Sequence, residues 1–341
     1  MHYTLAVTWI DGHLDLAYLG VNGRDLRIRC VDPGAGCVSL PELREAGVGM
    51  AFATIFTEVA GTGGPGTCSP HDAPHVYRDF DDLDGAHTAG MRQLELYEQL
   101  EREGWVRIVR SLGDLDGDDD GPLRIVMLME GADPVRSPGE LRAWFERGVL
   151  IVGLTWAMGS RYAAGNSRPG PLTEIGVEMV HAMDEIGVIH DVSHLADEAF
   201  EQLRELASGP VIASHSNARA LATPLQRHLR DDQIEWIGKR DGVVGLNLFR
   251  KFLSTSQEGT LDDVVRHAQH MARLMGRFDG VALGSDMDGG FGPSELAAGL
   301  EHPTKLPALA EALRAAGWSE AQVRGVQRKN WLKFLRRALP R

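Results

Sequence analysis

An apolar, β-branched run that stops at a polar residue and gives way to a helical stripe recurs along this chain. Arg124–Met129 stops at Glu130, Gly148–Thr155 at Trp156, Pro210–Ser214 at His215 and Gly280–Ser285 at Asp286. Gly187–Ile189 leads into the His190–His194 segment, and Gly242–Leu248 is a further run of the same kind. Tyr3–Ile10, with extended geometry persisting to Asp15, and Val48–Phe56 bring the strand count to eight. Apolar residues at helical spacing fill Asp82–Glu103, Glu174–Ile186, Ala196–Ala207, Asp231–Lys239 and Leu261–Met275. Strands alternating with helices imply right-handed crossovers and a parallel sheet. Eight such units over roughly 280 residues predict an α/β (β/α)8 TIM barrel. The competing open, doubly wound sheet would want a glycine fingerprint after its first strand, and none follows Ile10. Tyr18–Ser39 reads as loop and Pro41–Ala46 as a short helix. Past the last strand, Pro307–Ala316 and Ser319–Leu339 read as helices, the second opened by the capping pair Ser319 and Gln322. The expected organisation is one domain over 1–341, with 305–341 a helical extension packed on the barrel.

Composition narrows the partners. A formal charge of -13 opposes nucleic acid and anionic membrane surfaces, and the one basic cluster, Arg328–Arg337, fits the polar side of a terminal helix. Cys30, Cys37 and Cys68 form neither a disulfide framework nor a zinc ribbon. With no apolar run of about 18 residues and no leader pattern, the chain reads as cytoplasmic.

Three local motifs have simpler readings than their chemistry suggests. Gly61–Gly66 lacks the Gly-Lys-Ser/Thr ending of a phosphate loop and reads as a connection. Asp114–Asp120 places Asp119 and Ile125 where a calcium loop needs glycine and glutamate, so it reads as a solvated acidic turn. His190 and His194 have zincin spacing, but Val188, Ile189 and Val192 favour a strand, on which the two imidazoles lie about 13 Å apart. His190 then reads as a hydrogen-bonded core or supporting residue.

His13, Asp15, Glu130, His194, His215 and Asp286 all fall where a candidate strand ends. That end of a parallel barrel is where active sites of this fold are assembled. Unpaired buried charges are costly, and metal binding resolves the cost. Three imidazoles with carboxylates suit zinc, with manganese or iron as other divalent options. Six ligand-type groups exceed the needs of one open zinc, so two ions sharing a bridging carboxylate, Glu130, is the economical arrangement. A hydroxide held between ions about 3.5–4 Å apart would be the nucleophile, leaving Asp286 to move protons.

These residues sit in Asp11-Gly12-His13-Leu14-Asp15, Glu130-Gly131, Leu154-Thr155, Asp191-Val192-Ser193-His194, Ser214-His215-Ser216-Asn217-Ala218 and Gly284-Ser285-Asp286-Met287-Asp288-Gly289. In that order, over nearly the whole chain, they resemble the membrane (renal) dipeptidases, binuclear zinc enzymes of the amidohydrolase-like barrel class. The resemblance implies that His13, Asp15 and Glu130 hold one Zn2+ and that Glu130, His194 and His215 hold the other. It implies that Asp286 handles the substrate amine and proton transfer. It sets Arg227, in Arg227-His228-Leu229, against a family arginine that pairs with the substrate carboxylate, and it suggests a homodimer. After Leu154-Thr155 better-known members carry a histidine that stabilises the oxyanion, whereas this chain has Trp156 against the substrate. Secreted members carry a leader and a lipid-anchor signal, and their lack points to a cytoplasmic, bacterial-type relative.

The expected activity is hydrolysis of a dipeptide, with D-configured C-terminal residues among the substrates to test. The alternatives are hydrolysis of another small amide or lactone on the same metals, and a metal-retaining, non-hydrolytic accessory protein.

Overall fold

The computed structural model describes residues 9–62, 73–116 and 121–340. Among them, eight parallel strands follow one another around a single sheet: β1 (Trp9–Leu14), β2 (Val48–Phe56), β3 (Leu123–Glu130), β4 (Val149–Gly153), β5 (Ile189–Asp191), β6 (Val211–Ala213), β7 (Val243–Leu246) and β8 (Val281–Leu283). Neighbours pair in parallel from β1 to β8. The seam between β8 and β1 is drawn together by Ser285 N–H donating to Asp11 Oδ1 at 2.8 Å and Asp286 N–H donating to the His13 carbonyl at 3.3 Å. The barrel is therefore nearly closed, as the alternation of strands and helices predicts.

Two apolar layers hold it. Ile10, Phe52, Val126, Ile151, Ile189, Ile212, Val243 and Ala282, one from each strand, join a single cluster, which only the barrel interior can assemble. Trp331 enters that cluster with its ring 4.6 Å from Phe52 and its Nε1–H on the Leu283 carbonyl. A larger cluster fills the space between strands and outer helices. Gly12 lies where the interior leaves no room for a side chain: a Cβ there would stand 2.6 Å from the Trp331 ring and 2.9 Å from the carbonyls of Leu283 and Ser214.

Four features depart from the pattern-based expectation. Leu16–Val21 is a helix where loop is predicted from Tyr18, because Leu16, Ala17 and Leu19 are buried and Ala17 N–H is held by the Tyr97 hydroxyl at 2.9 Å. Six residues are too few to leave a helical period. Ala163–Gly165 and Arg168–Leu172 form an antiparallel hairpin that Arg168-Pro169-Gly170-Pro171 conceals, since proline is depleted from strands. The expected single helix 319–339 is divided into Glu320–Arg324, a π turn over Gly325–Lys329, and Asn330–Ala338. Past the wider turn, Asn330 Nδ2 reaches the Val281 and Phe278 carbonyls at 2.7 and 3.0 Å. The extended conformation of β1 also stops at Leu14; Asp15 has turned to φ -81, ψ 46 and occupies the N-cap position of the following helix without a side-chain capping bond. Residues 3–8 of the opening run, His71, Cys68, 63–66 of the glycine loop and 117–120 of the acidic turn lie outside the described residues.

Candidate metal centre

The C-terminal ends of five strands converge on one buried cluster. His13 lies within β1 and Asp15 just past it, Glu130 is the last residue of β3, His194 and His215 follow β5 and β6, and Asp286 follows β8. His194 and Asp286 have φ of 66° and 61°. Left-handed backbone at non-glycine positions concentrates at functional sites, and here it turns the chain sharply just beyond a short strand.

Glu130 stands at the centre with its two oxygens facing different partners. Oε2 is 3.6 Å from His13 Nε2, which in turn is 3.7 Å from Asp15 Oδ1. Oε1 is 3.0 Å from His194 Nε2 and 3.4 Å from His215 Nε2. His13 and His215 stack with ring centroids 3.6 Å apart. Three overlapping groups each bring metal-ligating atoms within 4.8 Å of one another: His13, Asp15 and Glu130; Glu130, His194 and His215; and His13, His215 and Asp286. These atoms are imidazole nitrogens and carboxylate oxygens, the donor set divalent zinc, manganese or iron takes.

Supporting groups position five of the six side chains, His13, Asp15, His194, His215 and Asp286. Ser214 Oγ donates to Asp191 Oδ2 at 2.5 Å and lies 2.8 Å from His215 Nδ1 and 3.4 Å from His13 Nδ1. Asn166 Oδ1, carried by the concealed hairpin, accepts from His194 Nδ1 at 2.9 Å. Thr54 donates its hydroxyl proton to Asp15, and Asn247 Nδ2 donates to Asp286 Oδ2 at 2.8 Å. Gly289 permits the close approach of two carboxylates: a Cβ there would fall 2.0 Å from Asp286 Oδ1 and 3.0 Å from Asp15 Oδ2.

The electrostatics are those of a crowded, dry cluster. Burial would raise Glu130, but His13 and His194 outweigh it and hold the carboxyl well below the usual range. Burial opposes protonation of His13, yet Glu130, Asp15 and Asp286 push its imidazole up to about 10. Burial lowers His194 to about 4, with Arg227 adding to it, and lowers His215 further. Burial, aided by neighbouring carboxylates, lifts Asp15 to about 6 and Asp286 to about 7.

The other predicted residues border this cluster. Arg227 is buried, donates Nη2–H to the His215 carbonyl at 2.6 Å and Nη1–H to Ser216 Oγ at 3.1 Å, and leaves Nε without a partner among the described residues. Trp156 packs edge-on to Phe56 at 5.2 Å, with its ring 6.1 Å from His194. His190 stays apart: it lies in β5 and its Nε2 meets Asp184 Oδ1 at 2.7 Å, which removes the zincin arrangement. Asp114 is the third residue of a short 3-10 turn whose N-cap, Ser111, donates its N–H and hydroxyl to the Asp114 carboxylate at 3.0 and 3.1 Å. Sequence reasoning missed Thr54, Asn166 and Asn247, which carry no spacing signal. Asp191 and Ser214 lie inside quoted motifs but had no role there.

A parallel barrel with imidazoles and carboxylates gathered at this rim is the architecture of a metallohydrolase. Residues 4–339 match the membrane dipeptidases, peptidase family M19, and the chain belongs to that family of metallopeptidases. A Klebsiella pneumoniae protein of the pqqA 5′ region is 34% identical over 261 residues, 72% of this chain and 94% of that one. A metallopeptidase from Rhodobacter sphaeroides, solved with a phosphinate mimic of the dipeptide L-Ala-D-Ala, is 26% identical with a TM-score of 0.83, over 98% of this chain and 99% of its own. The M19 dipeptidase AC is also 26% identical, with a TM-score of 0.85 over 98% of this chain and 100% of its own. Among the described residues no helix is long and apolar enough to cross a membrane.

Proposed function

We propose that this protein hydrolyses dipeptides on two divalent metal ions, zinc being the best match to the donors. The observation that carries the reading is the division of Glu130: Oε2 toward His13 and Asp15, Oε1 toward His194 and His215. His13, Asp15 and Glu130 would hold one ion, and Glu130, His194 and His215 the other. When bound, such a pair supplies an ionised water at neutral pH and polarises the scissile carbonyl.

The chain's own residues do the rest. Arg227 presents a guanidinium bonded to a carbonyl and a hydroxyl, with no carboxylate in direct ion-pair contact among the described residues, and the α-carboxylate of a dipeptide would supply that contact. Asp286, held by Asn247 Nδ2, accepts a proton as the nucleophile forms and returns it to the leaving amine, and it faces the substrate ammonium. Trp156 and Phe56 make an apolar wall beside His194 that excludes water from the reacting centre. The L-Ala-D-Ala mimic bound by the Rhodobacter relative supports D-configured C-terminal residues among the substrates.

Trp156 favours one second reading, hydrolysis of another small amide or lactone, because an indole cannot supply the charged contact of an imidazole. Turnover of a dipeptide panel, with L- and D-configured C-terminal residues and with or without zinc, separates the two. Zinc-dependent cleavage of dipeptides is expected. A metal-loaded sample that cleaves no member of the panel would overturn the leading reading.

A further inference from the structure

Three phenylalanines stand at the rim beside this cluster without a task in the mechanism. Phe249 and Phe252 follow β7, Phe291 follows β8, and all three are partly exposed. Their rings form a continuous surface, with centroids 4.7 Å apart for Phe249 and Phe252 and 4.4 Å apart for Phe249 and Phe291. Neither Phe249 nor Phe252 belongs to the barrel interior or to the layer under the outer helices. Phe291 packs partly against the outer layer and anchors the other two, and apolar rings left out of both cores at the mouth of a polar site are the lining expected of a ligand pocket.

The patch is tied to the site at both ends. The Arg227 guanidinium carbon lies 5.3 Å from the Phe252 ring centre. Phe249 N–H donates to Asn247 Oδ1 at 2.7 Å, and the same amide donates to Asp286 at 2.8 Å. A residue whose carboxylate meets Arg227 therefore has its side chain within reach of these rings. Charge at the patch is already matched: Lys251, whose ammonium lies 5.4 Å from the Phe249 ring centre, pairs with Glu295 at 2.9 Å.

We infer that Phe249, Phe252 and Phe291 form the subsite for the C-terminal side chain of the substrate, and that it selects large apolar side chains. The inference rests on the dipeptidase reading above and adds a substrate class to it. The test is kcat/KM for alanyl dipeptides ending in glycine, leucine, phenylalanine, aspartate or lysine, in both configurations at the second residue. Leucine and phenylalanine should exceed glycine, aspartate and lysine by about tenfold or more in the accepted configuration. In Phe249→Ala the leucine-to-glycine ratio should fall to about threefold or less, while Phe249→Leu keeps most of it. Should Phe249→Ala fail to fold, the same ratio is read in Phe291→Ala. Turnover that is flat across the panel, or a ratio unmoved by the alanine variant, overturns the subsite alone. No turnover of any dipeptide by metal-loaded protein overturns the dipeptidase reading, and the subsite with it.

Discussion

Ser214 Oγ lies 2.8 Å from Nδ1 of His215 and gives its own proton to Asp191 Oδ2, 2.5 Å away. A hydroxyl has one proton to donate, so His215 must carry its hydrogen on Nδ1 and present a bare lone pair at Nε2. Partners that fix a ligand's tautomer in this way typically matter about 10–100-fold in metal affinity. Ser214→Ala should therefore weaken metal binding by about that factor, measured by competition with a chelator. Unchanged affinity would contradict the assignment of His215 as a ligand supported through Ser214.

Arg227 is buried, with a carbonyl and a hydroxyl as its hydrogen-bond partners. Burial pushes its pKa down, against the pull of Asp286, Glu130 and Asp191. Removing one buried charge while its opposite charges stay in place is destabilising, because those charges and the hydrogen-bond acceptors are left uncompensated. Arg227→Met should lower unfolding free energy by about 3 kcal/mol, so the folded state of the variant is first verified by circular dichroism, and should raise KM by about 100-fold. Equal KM in variant and parent would remove the arginine from substrate binding.

His228, next in sequence, is buried with both ring nitrogens unpartnered among the described residues. Burial, then Arg227, His267 and Arg219, push its pKa down to about 3. Its unfolded value is about 6.5, so between about pH 3 and 6.5 the unfolded chain binds a proton that the folded one refuses. Its contribution to stability is present above pH ~6.5 and is lost as the pH falls toward the folded pKa. His228→Leu should be more stable than the parent by about 1–3 kcal/mol at pH 7, and by more at pH 5. Urea unfolding at the two pH values checks this; a gap that narrows at pH 5 contradicts it.

The Trp156 ring lies 6.1 Å from that of His194, at the position for which the family resemblance implies an oxyanion-stabilising imidazole. An added oxyanion donor can contribute about 3 kcal/mol to transition-state stabilisation. Trp156→His should raise kcat for dipeptides by about tenfold or more, with the gain in kcat rather than KM. Steady-state kinetics with alanyl dipeptides read it, and an unchanged kcat would mean that the oxyanion already has its donors.

The barrel and the gathering of the candidate metal ligands on one rim were legible because each of these residues follows an apolar run closely. His13, Glu130, His215 and Asp286 sit within three residues of a strand end, so strand reading alone brings them to one rim. Supporting residues were not legible, because their roles depend on distant contacts. Asn166 reaches His194 across 28 positions, from a hairpin whose prolines mask its strands. Thr54 and Asn247 look like ordinary strand and loop residues until Asp15 and Asp286 are beside them. The division of 319–339 was hidden too, since a π turn leaves the apolar spacing nearly intact.

Hydrolysis by two metal ions bridged through Glu130 is tested most directly by titrating zinc into metal-free protein while the rate of dipeptide cleavage is recorded. The rate should be near zero without zinc and should level off at two equivalents per chain. A rate that is already full without metal, or that levels off at one equivalent, would contradict it.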